Sequence, residues 1–175
     1  LVEDLSVAAT TYTDTKVAEE LGETLPSLDW DMPPSGLRGL INLPNGMMAG
    51  FTGREVCFCE PYRPYAWPAR YRMAVDAPIV ALGRMDTTLA VLTKGNPYFM
   101  QGSHPDVVTS VKSDIEQSCV SKRSVVSLDG AVYYAAPDGL MRLSPNGSSL
   151  VTQPLFDWDD WQTIIDIESI NAFAH

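Results

Sequence analysis

"SVVSLDGAVYYAAPDGLMRLSPNGSSLVT", residues 124–152, holds four short stretches broken by Asp-Gly, Pro-Asp-Gly and Pro-Asn-Gly. Asn-Gly and Asp-Gly supply the positive-φ positions that tight hairpin turns require. The stretch therefore predicts an antiparallel meander of four strands. Two upstream stretches have the same order, each with three strands visible: "LINLPNGMMAGFTGREVCFCEP" (40–61) and "PIVALGRMDTTLAVLTKGNPYFMQG" (78–102). Leu43, Leu82 and Leu128 are read as equivalent places in these units. The spacing is roughly 40–45 residues, the range in which repeats mean propeller blades of four short strands. The fold expected is all-β, a partial β-propeller of about three blades. Three-strand meanders in a sandwich are the plainer alternative. Gly46 and Gly139, at the ends of "PNG" and "PDG", are expected to be structural turn glycines.

The flanks differ from the repeats. "TTYTDTKV" (10–17) is rich in Thr, Tyr and Val and alternates as a strand does. "AEELGETLPS" follows and reads as one helical turn before Gly22, and "SLDWDMPPSG" (27–36) is a breaker-rich linker. In the tail, "LFDWDDWQTIIDI" (155–167) predicts a short helix near 158–166. Asp157 is placed to cap it, and Trp158, Trp161, Ile164 and Ile165 share one helical face. That face, with Trp161 as its structural anchor, is expected to dock on the sheets. The division expected is 1–36, an end of a preceding module plus linker, and 37–175, the blades. The chain opens in mid-pattern, so an inner piece of a longer polypeptide is expected, and its start lacks the pattern of a signal peptide.

The chain has 175 residues and 45% hydrophobic content, enough for a sizeable core. Its formal net charge is −10, with 22 acids against 12 bases. Such a balance argues against gripping nucleic acid, because that affinity rests on Lys and Arg neutralising phosphates. It suits a surface along which DNA must slide without sticking, or one that simply stays soluble. No apolar run approaches the ~20 residues that span a bilayer.

Cys57 and Cys59 in "EVCFCEP" sit two apart on an expected strand, so both side chains point to one face. Their Cα atoms would lie ~6.6–6.8 Å apart, at the far limit for a disulfide. A structural zinc needs about four ligands at recognisable spacing. Cys119, His104 and His175 are not arranged as a second pair. Both cysteines are therefore expected to be structural, with no metal and no cofactor. "GSHPD" (102–106) brings Ser103, His104 and Asp106 within one turn, where a relay cannot easily form. No catalytic residues are expected. "PYRPYAWP" (61–68) is an aromatic, proline-stiffened loop. Tyr62, Arg63, Tyr65 and Trp67 are its candidate recognition or subunit-contact residues, and the plainer alternative is that the aromatic rings simply cover the blade.

Several blocks resemble a family of structural proteins from tailed bacteriophages and prophages. The similarity lies in "LPNGMMAGFTGREVCFCEPYRPYAWPARYR", "LAVLTKGNPY" (89–98), "CVSKRSVV" (119–126), "YAAPDGL" (134–140) and "LVTQPLFDWDDW" (150–161). It covers about residues 10–165 and includes the β-propeller nozzle or hub proteins of short-tailed phages. The resemblance implies a virion part of the tail or neck, assembled in the host cytoplasm, and not an enzyme. It implies partners that are copies of itself in a ring and other tail proteins, with DNA passing unbound. It also implies that "TYTDTKVAEELGETLPS" closes a fibronectin- or immunoglobulin-like module. The runner-up function is a tail-associated propeller that binds or depolymerises carbohydrate at the host surface. A third is a host-encoded scaffold that binds other proteins.

Overall fold

The computed structural model describes residues 24–164 and 166–174, together with positions 11, 13, 15–20 and 22. Twelve strands among them form three four-stranded antiparallel sheets, and each sheet follows chain order. Sheet 1 is β1 (Arg38–Asn42), β2 (Met48–Thr52), β3 (Glu55–Phe58) and β4 (Arg72–Ala74). Sheet 2 is β5 (Ile79–Met85), β6 (Thr88–Thr93), β7 (Tyr98–Gln101) and β8 (Thr109–Lys112). Sheet 3 is β9 (Val126–Leu128), β10 (Ala131–Ala136), β11 (Gly139–Ser144) and β12 (Gly147–Leu150). The all-β expectation holds, and each unit has a fourth strand. Three-strand meanders, the plainer alternative, are not what forms.

Turn chemistry sets these hairpins. Asn45 and Gly46 both take positive φ between β1 and β2, as do Asp129 and Gly130 between β9 and β10. Pro137–Asp138 and Pro145–Asn146 make the two-residue links that join Ala136 to Gly139 and Ser144 to Gly147. Gly139 lies at φ 150°, and a side chain there would run into Thr152. The leucine equivalence fails. Leu43 lies inside the first turn, Leu82 well within β5 opposite Val91, and Leu128 at the end of β9. Turn length differs between the units, so a fixed spacing does not carry a fixed register.

The sheets stack face to face. Leu89 and Val91 of β6 join Phe51, Val56 and Phe58 of sheet 1 in one core. Ala90 and Leu92, the alternate residues of β6, join Val132, Tyr134 and Leu143 of sheet 3 in another. Both faces of β6 are buried, which is why it reads as a nearly continuous apolar run. Gly83 lets β5 approach β10: a Cβ there would sit 2.6 Å from a Val132 methyl. The free-edge strands β1, β5 and β9 gather along one side, with β5 against both others. The described sheets do not close into a barrel.

One helix, α1 (Trp158–Ile164), follows sheet 3. Asp157 Oδ1 accepts from the Asp160 backbone N–H at 2.8 Å, the expected cap. The expected docked face is corrected in one residue. Trp161 is 4% exposed and its Nε1 donates to the Ala136 carbonyl at 3.1 Å, whereas Trp158 is 58% exposed. Trp158 opens the helix, and its side chain is left largely exposed. The Ile164 side chain and Ile165 lie outside what is described. The strand expected over 10–17 falls partly outside the described residues, and those described at 11, 13 and 15–17 belong to no strand. Ala18–Glu20 forms the single expected turn, of 3-10 type.

Candidate functional site

The loop from 59 to 71 joins β3 to β4 and contains the candidate recognition residues. Three backbone bonds fold it on itself: Glu60 N–H to Ala66 O, Arg63 N–H to Glu60 O, and Ala66 N–H to Arg63 O. Tyr62 takes a left-handed φ of 60°, and its N–H donates to Gly46 O at 2.8 Å. Its ring lies against Gly46, itself at φ 69°, where any side chain would collide with that ring. Gly46 thus serves both the first hairpin turn and the seat of Tyr62. Tyr62 and Tyr65 remain 78% and 61% exposed.

The four candidates divide. Tyr62, Arg63 and Tyr65 face outward, while Trp67 is 2% exposed and donates its Nε1–H to Pro64 O at 2.8 Å. Trp67 packs with Cys57 and Cys59 against the outer face of sheet 1. The outward group gains a partner that the sequence did not single out. Arg63 lies 4.4 Å over the Trp30 ring, and Tyr65 meets Trp30 edge-on at 5.9 Å. Trp30 comes from the breaker-rich linker, where a tryptophan between two aspartates was the available signal. Backbone pairing of Trp67 N–H with Asp31 O, at 2.8 Å, brings linker and loop together. Arg on Trp beside exposed Tyr is a residue set that dominates contact hot spots.

All three cysteines are buried and free. Burial raises the Cys57 and Cys59 thiols above their ordinary pKa, and pushes Cys119 up to about 12. They are poor nucleophiles at neutral pH. Among the described residues no three His, Cys, Asp or Glu side chains are grouped to hold a metal ion.

The "GSHPD" turn leads into β8. His104 Nδ1 accepts from the Asp106 N–H at 3.3 Å and lies 3.5 Å from the Asp106 carboxylate. Ser103 contributes its carbonyl to Asn45 and has no side-chain hydrogen bond among the described residues. Nearby, Tyr71 donates its O–H to Glu60 at 2.8 Å, and Arg70 donates to the Tyr71 oxygen at 3.0 Å. Arg70 also pairs with Asp29 and stands 3.6 Å from Asp106. Burial, then the bond to Glu60, raises the Tyr71 phenol above its ordinary pKa. These groups satisfy one another and tie the linker to two loops.

A cleft of about 500 Å³ opens between the free edges of β1 and β5. Its walls are apolar, including Leu40, Phe51 and Val80, and Arg38, Lys94 and Lys122 stand around it. The lining holds one aromatic ring and no carboxylate. A sugar-cleaving site needs two carboxylates about 5–10 Å apart, and the described lining of this cleft holds none.

Charge is divided along the chain. Residues 38–150 hold 11 bases and 9 acids, while the two flanks hold 13 acids and 1 base. None of the free-edge strands β1, β5 and β9 contains an acid. The acidic balance therefore belongs to the flanks and not to the sheets. Among the described residues no helix is long and apolar enough to cross a membrane. No protein-family model matches the chain, and no curated protein matches it.

Proposed function

We propose that the chain is a propeller segment of a phage tail or neck, a rigid nozzle or hub part that works by assembly and carries no covalent chemistry. The observation that carries this reading is the stack itself: three consecutive four-strand meanders, joined through their faces, with their first strands gathered on one side. Propeller blades are related in this way. The resemblance of the sequence blocks to tail proteins suggests the setting, the virion, and exposed Arg63 and Tyr65 around half-buried Trp30 offer a contact surface. Copies form a ring with other tail proteins as neighbours. Any part that meets passing DNA is drawn from the acidic flanks, whose field repels phosphate at short range.

Electron microscopy and mass measurement on the full chain test this. A closed ring of copies is expected. A monomer at micromolar concentration overturns the assembly reading.

The second reading, a carbohydrate-binding propeller at the host surface, draws on the exposed rings of Tyr62 and Tyr65, the latter beside Trp30. Glycan titration that Trp30→Ala abolishes would favour it over the conduit.

A further inference from the structure

We propose that the cleft between β1 and β5 receives the acidic, apolar knob presented by α1 of a second copy, so that copies join head to tail. This rests on the assembly reading above and names its contact.

Among the described residues the cleft has no counter-charge. Arg38 lies 5.4 Å over the Phe51 ring, and Lys94 Nζ donates to the Val120 carbonyl at 3.2 Å. Among the described residues none of Arg38, Lys94 and Lys122 is in an ion pair. In a chain with 22 acids and 12 bases, these three cations around an apolar hollow have no carboxylate to match them among the described residues. An occupant that is apolar at its tip and acidic at its margin satisfies both features at once.

The chain presents such a group elsewhere. Residues 151–175 hold 5 acids and no base. Trp161 holds α1 to sheet 3 through its bond to Ala136. That anchor leaves Trp158 and Leu155 exposed, beside the exposed carboxylates of Asp159 and Asp160. Neither Trp158 nor Leu155 lines the cleft of its own chain. Knob and cleft are different patches of one molecule, so their contact is heterologous. Repeated, such contacts generate a ring when the rotation closes and a filament when it does not.

Sedimentation of the full chain at low and high salt tests this, with K94E/K122E and D159K/D160K as variants. Each alone is expected to weaken association by at least about tenfold. An equimolar mixture of the two is expected to regain it, because reversed charges again face each other. Trp158→Ser, which leaves every charge in place, is expected to weaken association as well. Circular dichroism identical to the parent's shows that each variant is folded. Association of K94E/K122E at parental strength overturns the contact while leaving the ring standing. Two impaired variants that fail to rescue each other also overturn it, and assign the cleft to another segment. A parent chain that stays monomeric removes the assembly reading and this contact together.

Discussion

The layer between sheets 2 and 3 and the cover on the outer face of sheet 1 are similarly buried, yet they are made differently. The inner layer is sheet on sheet: Leu92, Val132, Tyr134 and Leu143 are buried in it, and Cys119 is drawn in from a loop. The cover is one tryptophan on one loop: Trp67 lies over Cys57 and Cys59, with Leu37 and Met48 at the margin. A sheet-on-sheet layer cannot open without separating eight strands. A loop cover can lift alone, because few backbone bonds hold it. The same burial therefore implies global cooperativity in one place and local opening in the other.

The largest expected effect tests the inner layer. Leu92→Ala removes a fully buried side chain from a site walled by two sheets, where collapse is restricted. A loss of about 3–5 kcal/mol is expected. Urea unfolding should show a lower midpoint with an unchanged slope, since the whole stack unfolds together. A change confined to amides of one hairpin in hydrogen exchange would break the comparison.

The next effect is alkaline. Burial holds the Cys119 pKa at about 12, above the ordinary 9.0 that it regains on unfolding. The native state keeps this proton more tightly, so the stability is whole below pH 9 and falls as pH rises toward 12. The loss is about 2 kcal/mol by roughly pH 10.5. Burial raises the Tyr134 phenol as well, which adds a loss of the same sign at higher pH. Cys119→Ala should flatten the profile between pH 9 and 11 without removing the tyrosine part. An unchanged slope in that variant would place the alkaline sensitivity elsewhere.

These two regions also explain what the sequence made legible. The inner layer was visible because β6 and β10 are apolar on both faces, and Asp-Gly and Pro-Asp-Gly mark the two ends of β10. Strands β4 and β8 were not visible. "RMA" and "TSVK" are short, largely exposed edge strands, set off by loops, and carry almost no alternation. The candidate loop was legible as aromatic, but its division was not. Trp67 turns inward because residues 57–59 leave an apolar face to cover, and Trp30 enters through a backbone bond across 36 residues of chain. Both are tertiary facts with no local signature. The turn residues at Gly46 and Gly139 were legible because their backbone conformation is a local demand.

The smallest effect lies within the cover and separates two cysteines that the sequence treats alike. Cys59 Sγ accepts a hydrogen bond from the Met48 backbone N–H at 3.1 Å, whereas Cys57 has no such donor among the described residues. Serine at 59 can accept from the same N–H, so its buried hydroxyl oxygen keeps a partner. Serine at 57 places a hydroxyl against Trp67 with none. Cys57→Ser is expected to cost about 1–3 kcal/mol, and Cys59→Ser about 1 kcal/mol less. Because the cover is held locally, part of the Cys57→Ser loss should appear as faster exchange in the 59–68 loop ahead of global unfolding. Elemental analysis of parent and variants is expected to find no stoichiometric zinc. A Cys59→Ser cost equal to or above that of Cys57→Ser would mean that sulfur size, and not the Met48 bond, sets the fit beneath Trp67.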